Sequence, residues 1–114
     1  MSDHVTEISA ADFDAKVRHA GQPVVLDFFS TECPPCEALA PKLEAVAEQF
    51  AGRAAFYKIF RQGNRELAQQ LGVTGSPTLV FFDRAGQEQG ARLGGGDVKR
   101  SAIKAQVEAL LGSA

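Results

Sequence analysis

The chain has 114 residues, 45% of them hydrophobic and 23% charged, and its 12 basic and 14 acidic side chains give a net charge of -2. That length is enough for one domain, 1–114, with its own core, and the composition excludes the disordered, collagenous and membrane-spanning classes. So small a negative charge gives no electrostatic footprint for nucleic acid or for an anionic membrane surface.

The N-terminal stretch "MSDHVTEISAADFDAK" carries acids where a secretory leader would carry a basic and then an apolar region, so the cytoplasm is the expected compartment. Val5 to Ile8 reads as a short strand. Ser9-Ala-Ala-Asp12 has the form of a capping box with Asp in place of Glu, and Phe13 and Val17 follow at helical spacing, which predicts a helix ending near Gly21. "PVVLDFF", Pro23 to Phe29, is a near-continuous apolar run and predicts a strand buried on both faces, with Asp27 as its one odd residue.

Beyond Cys36, the positions Leu39, Ala40, Leu43, Val46, Ala47 and Phe50 keep the spacing of an amphipathic helix closed by Gly52, and Pro41 inside it predicts a kink. "AAFYKIF", Ala54 to Phe60, predicts a further strand. Gly63 and Asn64 then stop that strand and supply an N-cap for a helix carrying Leu67, Ala68 and Leu71 and ended by Gly72. "SPTLVFF" and "QEQGARL" flank the turn Asp83-Arg-Ala-Gly86, which predicts an antiparallel hairpin. A last helix buries Val98, Ile103, Val107, Leu110 and Leu111. Phe81 and Phe82 read as core, and His4 and His19 as solvated surface residues. The order β-α-β-α-β-α-β-β-α predicts an α/β fold, a mixed five-stranded sheet flanked by four helices.

The only two cysteines, Cys33 and Cys36, stand between a central strand and a helix with two prolines between them. In a reducing compartment such a pair points to catalysis or metal binding and not to a structural framework. Residues before proline are biased away from helical geometry, so Cys33 and Pro34 are expected to be extended and the helix to begin at Pro35, with Pro34 as N-cap. The free N–H groups of Cys36 and Glu37 would then face the Cys33 sulfur, and the positive end of the helix would favour its thiolate. Cys33 is therefore the expected nucleophile and Cys36, one turn in and more buried, the resolving thiol of a two-step exchange. Pro34 and Pro35 restrict the chain between the sulfurs. A zinc site needs four ligands, and His4 and His19 have no fitting spacing. A cluster bridging two subunits, or a stiff turn with inert thiols, also remains open.

"DFFSTECPPC" after an apolar strand, a proline five residues past the second cysteine, and "GVTGSPTLVFF" downstream together resemble the thioredoxin family over nearly the whole chain. The resemblance implies the thioredoxin fold and carries over residue by residue. Asp27 matches a buried carboxylate before the active site, Pro41 a kinking proline, Lys58 a lysine on the next strand, Pro77 a cis-proline facing the dithiol, and Gly94 a glycine beside the substrate groove. A carboxylate within "VVLDFF" should have a raised pKa and can serve as general base for the resolving step, supported by Lys58; the plainer alternative is a carboxylate held by Lys58 for structure alone. With Pro77 cis, the Ser76 backbone would be free to pair with a substrate segment lying across Cys33.

Four departures stand out against the family's pattern, whose hallmark is Trp-Cys-Gly-Pro-Cys. Glu32 replaces the tryptophan before the first cysteine, and Phe29 the tryptophan of the preceding strand. Pro34 replaces glycine, and Ile59-Phe60-Arg61-Gln62 replaces the Asn-Ile-Asp that follows the lysine. The resemblance implies a thiol-disulfide oxidoreductase, a protein disulfide reductase that needs no bound cofactor. It would be a monomer taking electrons from an upstream reductase such as thioredoxin reductase and acting on disulfide-containing protein clients. The alternatives are a non-catalytic binding or scaffold module on the same fold, and a dimer bridged by an iron–sulfur cluster through the two cysteines.

Overall fold

The computed structural model describes residues 4–112; the ends of the expected 1–114 domain lie outside the described residues. Five strands form one sheet in the order β1-β3-β2-β4-β5: β1 (Val5–Ile8), β2 (Val24–Phe29), β3 (Ala55–Phe60), β4 (Thr78–Phe82) and β5 (Leu93–Gly94). β1 and β2 both run parallel to β3, while β4 is antiparallel to β2 and β5 to β4. The helices are α1 (Pro34–Gln49), α2 (Arg65–Gln70) and α3 (Arg100–Gly112). No helix among the described residues is long and apolar enough to cross a membrane.

β2 is the central strand because it has apolar residues for both faces: Val24, Val25, Leu26 and Phe28 have no exposed surface. Side chains alternate along a strand, so its two sets serve two cores. Val25 packs with Leu39, Leu43, Phe56, Leu79, Ile103 and Val107 on the α1 and α3 side. Val24, Leu26 and Phe28 pack with Phe13, Val17, Ile59, Leu67 and Val80 on the other. The mixed sheet with helical segments on both faces is the expected one.

Three local expectations are corrected here and the rest at the site. The predicted first helix is a 3₁₀ turn, Ala10–Asp12, followed by a π turn, Asp14–Arg18, in which the His19 N–H reaches the Asp14 carbonyl at 3.0 Å. The Asp12 carboxylate accepts the Ser9 N–H at 3.0 Å, so the capping interaction closes a single tight turn, and the wider turn after it brings both Phe13 and Val17 into the core. Asn64 precedes α2 as predicted, but its side chain makes no cap there. It accepts the Ala10 N–H at 2.8 Å and donates to the Phe60 carbonyl at 2.9 Å, tying α2 to the 3₁₀ turn.

The hairpin after Asp83 is also shorter than "QEQGARL" predicts. Glu88 bridges to Phe82, then Gly90 turns at φ 74 and regular pairing resumes only at Leu93. Arg92, expected on that strand, instead grips the Glu88 carboxylate and donates to the Leu71 carbonyl at the end of α2. The start of α1 belongs to the site itself.

Candidate active site

The dithiol stands where β2 gives way to α1. Cys33 is extended, at φ -127 and ψ 91, as a residue before proline must be, and it is itself the N-cap. The helix therefore begins at Pro34, one residue earlier than predicted. Both prolines occupy first-turn positions whose N–H groups would have no partner within the helix, so neither costs a hydrogen bond. The Cys36 N–H donates to Cys33 Sγ at 3.3 Å, while the Glu37 N–H is taken by the Cys33 carbonyl at 3.0 Å. Of the two donors expected to face the sulfur, one does.

Cys33 and Cys36 are joined as a disulfide with their Cα atoms 5.2 Å apart, and they are 9% and 7% exposed. Because Cys33 is held extended by Pro34, the reversal from strand to helix falls on Glu32. That residue adopts φ 51, the one non-glycine residue in the left-handed region among those described.

Asp27 lies on β2 opposite Leu79 of β4 and Lys58 of β3. By alternation it shares the face of Val25, beneath α1. It is 4% exposed and its Oδ1 has no hydrogen-bond partner in the protein. Burial pushes its carboxyl from 3.8 up to about 7, against the opposing pull of the Lys58 charge. Lys58 makes no ion pair with it; its Nζ lies 5.4 Å from the centre of the Phe29 ring, which packs on Phe60 at 5.7 Å.

The Ser76-Pro77 peptide is cis, and the Ser76 carbonyl oxygen is 3.8 Å from Cys33 Sγ. Gly94, expected just after the last strand, is instead the final residue of β5, paired with Thr78. A Cβ on Gly94 would stand 2.7 Å from the Pro77 carbonyl oxygen, so the close approach of these backbones requires glycine. Asp27, Lys58 and Gly94 thus lie on strands of the sheet and Ser76 and Pro77 in the loop just before β4, where Ser76 contacts Cys33 Sγ.

Sequence reasoning missed a side-chain cluster here. Ser76 Oγ accepts from Ser30 Oγ at 2.6 Å and from Arg61 Nε at 2.9 Å, and the Arg61 N–H donates to the Phe29 carbonyl at 2.9 Å. The loops after β2, β3 and α2 are thereby tied at one serine. The available signal was Arg61 in place of an acid, together with two small hydroxyl residues at neighbouring strand ends. Among the described residues, no group of three or more His, Cys, Asp or Glu side chains is placed to hold a metal ion.

The thioredoxin family model matches residues 4–109. Over 113 residues the chain is 33% identical to a thioredoxin of Acidithiobacillus ferridurans, covering 99% of this chain and 98% of that protein. It is 40% identical to thioredoxin-2 of Saccharomyces cerevisiae over 85 residues, 74% of this chain and 80% of the relative. A solved mutant thioredoxin from Halobacterium salinarum superposes with a TM-score of 0.84 at 31% identity, covering 100% of this chain and 97% of that one. With its paired cysteines at the head of α1, this chain belongs to the thioredoxin family and is a thiol-disulfide oxidoreductase.

Proposed function

We propose that the chain is a single-domain, monomeric reductase of protein disulfides. The observation that carries the proposal is the Cys36 N–H aimed at Cys33 Sγ at the head of α1, which favours negative charge on that sulfur once the pair is reduced. Cys33 thiolate attacks one sulfur of a client disulfide, forming a mixed disulfide and releasing one client thiolate, which takes up a proton. Cys36 then gives its proton to Asp27, whose raised pKa suits a group that both accepts and returns a proton near neutrality. The Cys36 thiolate attacks Cys33 Sγ, re-forming the intramolecular disulfide and releasing the second client thiolate.

The second client thiolate takes the proton held by Asp27. The proton taken up by the first comes from solvent, which had received the one Cys33 lost on ionising, so two electrons and two protons in all have passed to the client. An upstream reductase such as thioredoxin reductase restores the dithiol, with no cofactor bound to this chain. Lys58 moderates the Asp27 charge, Pro34 and Pro35 restrict the loop, and Ser76, cis-Pro77 and Gly94 line the track for an extended client segment. The compartment is the cytoplasm, with neither nucleic acid nor membrane as a partner.

Reduction of insulin disulfides tests the assignment. Wild type is active and Cys33→Ser is not, whereas Cys36→Ser accumulates mixed disulfides with clients. Activity persisting in Cys33→Ser contradicts the mechanism, and client capture without Cys33 would instead mark a scaffold module.

A further inference from the structure

Arg61 does more than hold Ser76. Its Nε is spent on Ser76 Oγ, but its two terminal nitrogens make no hydrogen bond among the described residues. Arg61 also lines a cleft of about 440 Å³, together with Gln62, Arg65, Ala68, Gln69 and Val73. The lining thus brings together two arginines, two glutamines and the apolar Ala68 and Val73, with no carboxylate among them. The nearest acid on α2 in sequence, Glu66, lines a separate cleft with Ala10, Phe13 and Asp14. Among the described residues Arg65 likewise has no ion-pair partner, although in a chain of net charge -2 acids outnumber bases.

The cleft's position gives this charge a use. Val73 begins the loop that runs to Ser76 and cis-Pro77, and Ser76 contacts both Arg61 Nε and, through its carbonyl, Cys33 Sγ. A polypeptide lying across Cys33 beside the Ser76 backbone would pass the mouth of the cleft within a few residues of its own half-cystine. Guanidinium groups favour carboxylates through paired N–H donors, and a Ser76-anchored Arg61 has lost part of its freedom before binding.

We propose that this cleft is a specificity pocket for a carboxylate side chain of the client, so that the protein prefers disulfides flanked by acidic residues. The inference rests on the reductase reading given above. It is tested with disulfide-bonded peptides in which a single glutamate is moved through the four positions on either side of the half-cystine, each compared with its glutamine counterpart. At one or more positions the glutamate peptide should be reduced with a kcat/KM about fivefold higher, in the range of a partly exposed ion pair, and the preference should shrink as salt is raised. Arg65→Gln, which leaves the Ser76 hydrogen bonds in place, should reduce the glutamate-to-glutamine ratio, and Arg61→Gln with Arg65→Gln should bring it to one.

A wild type that reduces both peptides of every pair equally overturns the pocket alone. A preference that is insensitive to salt, or that survives in the double variant, also overturns it. A wild type that reduces neither peptide overturns the reductase reading and the pocket with it.

Discussion

The two faces of β2 meet different demands. Toward the 3₁₀ and π turns and α2, the strand presents Val24, Leu26 and Phe28, all without exposed surface and all apolar. Toward α1 and α3 it presents Val25, Asp27 and Phe29, so a carboxyl group occupies a place that packing alone would give to a hydrocarbon. The first face is built for stability. The second gives up stability to keep an acid whose charge is poorly solvated beneath the helix that carries the dithiol.

Breaking the apolar face should have the largest effect on folding. Phe28→Ala removes a fully buried ring and should cost about 3–5 kcal/mol, read from urea or guanidinium unfolding, with disulfide reduction per folded molecule retained. Changing the other face should have the opposite sign. The Asp27 pKa is higher folded than unfolded, so the folded chain holds a proton that the unfolded chain gives up between about pH 4 and 7. Stability is therefore greatest below that window and falls as pH rises through it.

Asp27→Asn should remove that decline and leave the protein about 2–3 kcal/mol more stable than wild type at pH 8, the buried amide keeping part of the desolvation cost. The same variant should slow release of the client from the mixed disulfide, as measured by single-turnover kinetics near neutral pH. The smallest effect is expected at Lys58, whose charge pulls the Asp27 pKa down. Lys58→Met should move the Asp27 titration further up and steepen the loss of stability above neutrality, with little change at pH 5.

Much of this contrast was legible in the amino-acid sequence. The run Val24 to Phe29 identifies a doubly buried strand and isolates Asp27 as its exception. The spacing of Leu39, Leu43 and Val46 gives α1, and Val5 to Ile8 emerges with the boundaries expected. These features depend on burial periodicity, which is local. What was not legible depends on contacts distant in sequence or on competition between neighbours.

The π turn after Asp12 reflects the need to bury Phe13 and Val17 together, and Asn64 is diverted from its own helix by the Ala10 N–H 54 residues away. The start of α1 moved by one residue because Cys33 can cap the helix with its sulfur, which leaves both prolines free to serve as the first turn. Cys33, extended before Pro34, leaves the chain reversal to Glu32 in the left-handed region, an outcome no propensity of glutamate suggests. The Ser30, Ser76 and Arg61 cluster joins three loops, and Arg61 in place of an acid, with two serines at strand ends, hints at it without showing which residues meet.

The contrast between the faces of β2 depends on one number, the proton affinity of Asp27. Titrating its side-chain carboxyl carbon by NMR in the oxidised protein measures that affinity directly. A midpoint near 7 is predicted; a midpoint near 4, the value of an ordinary solvated carboxylate, would contradict the account.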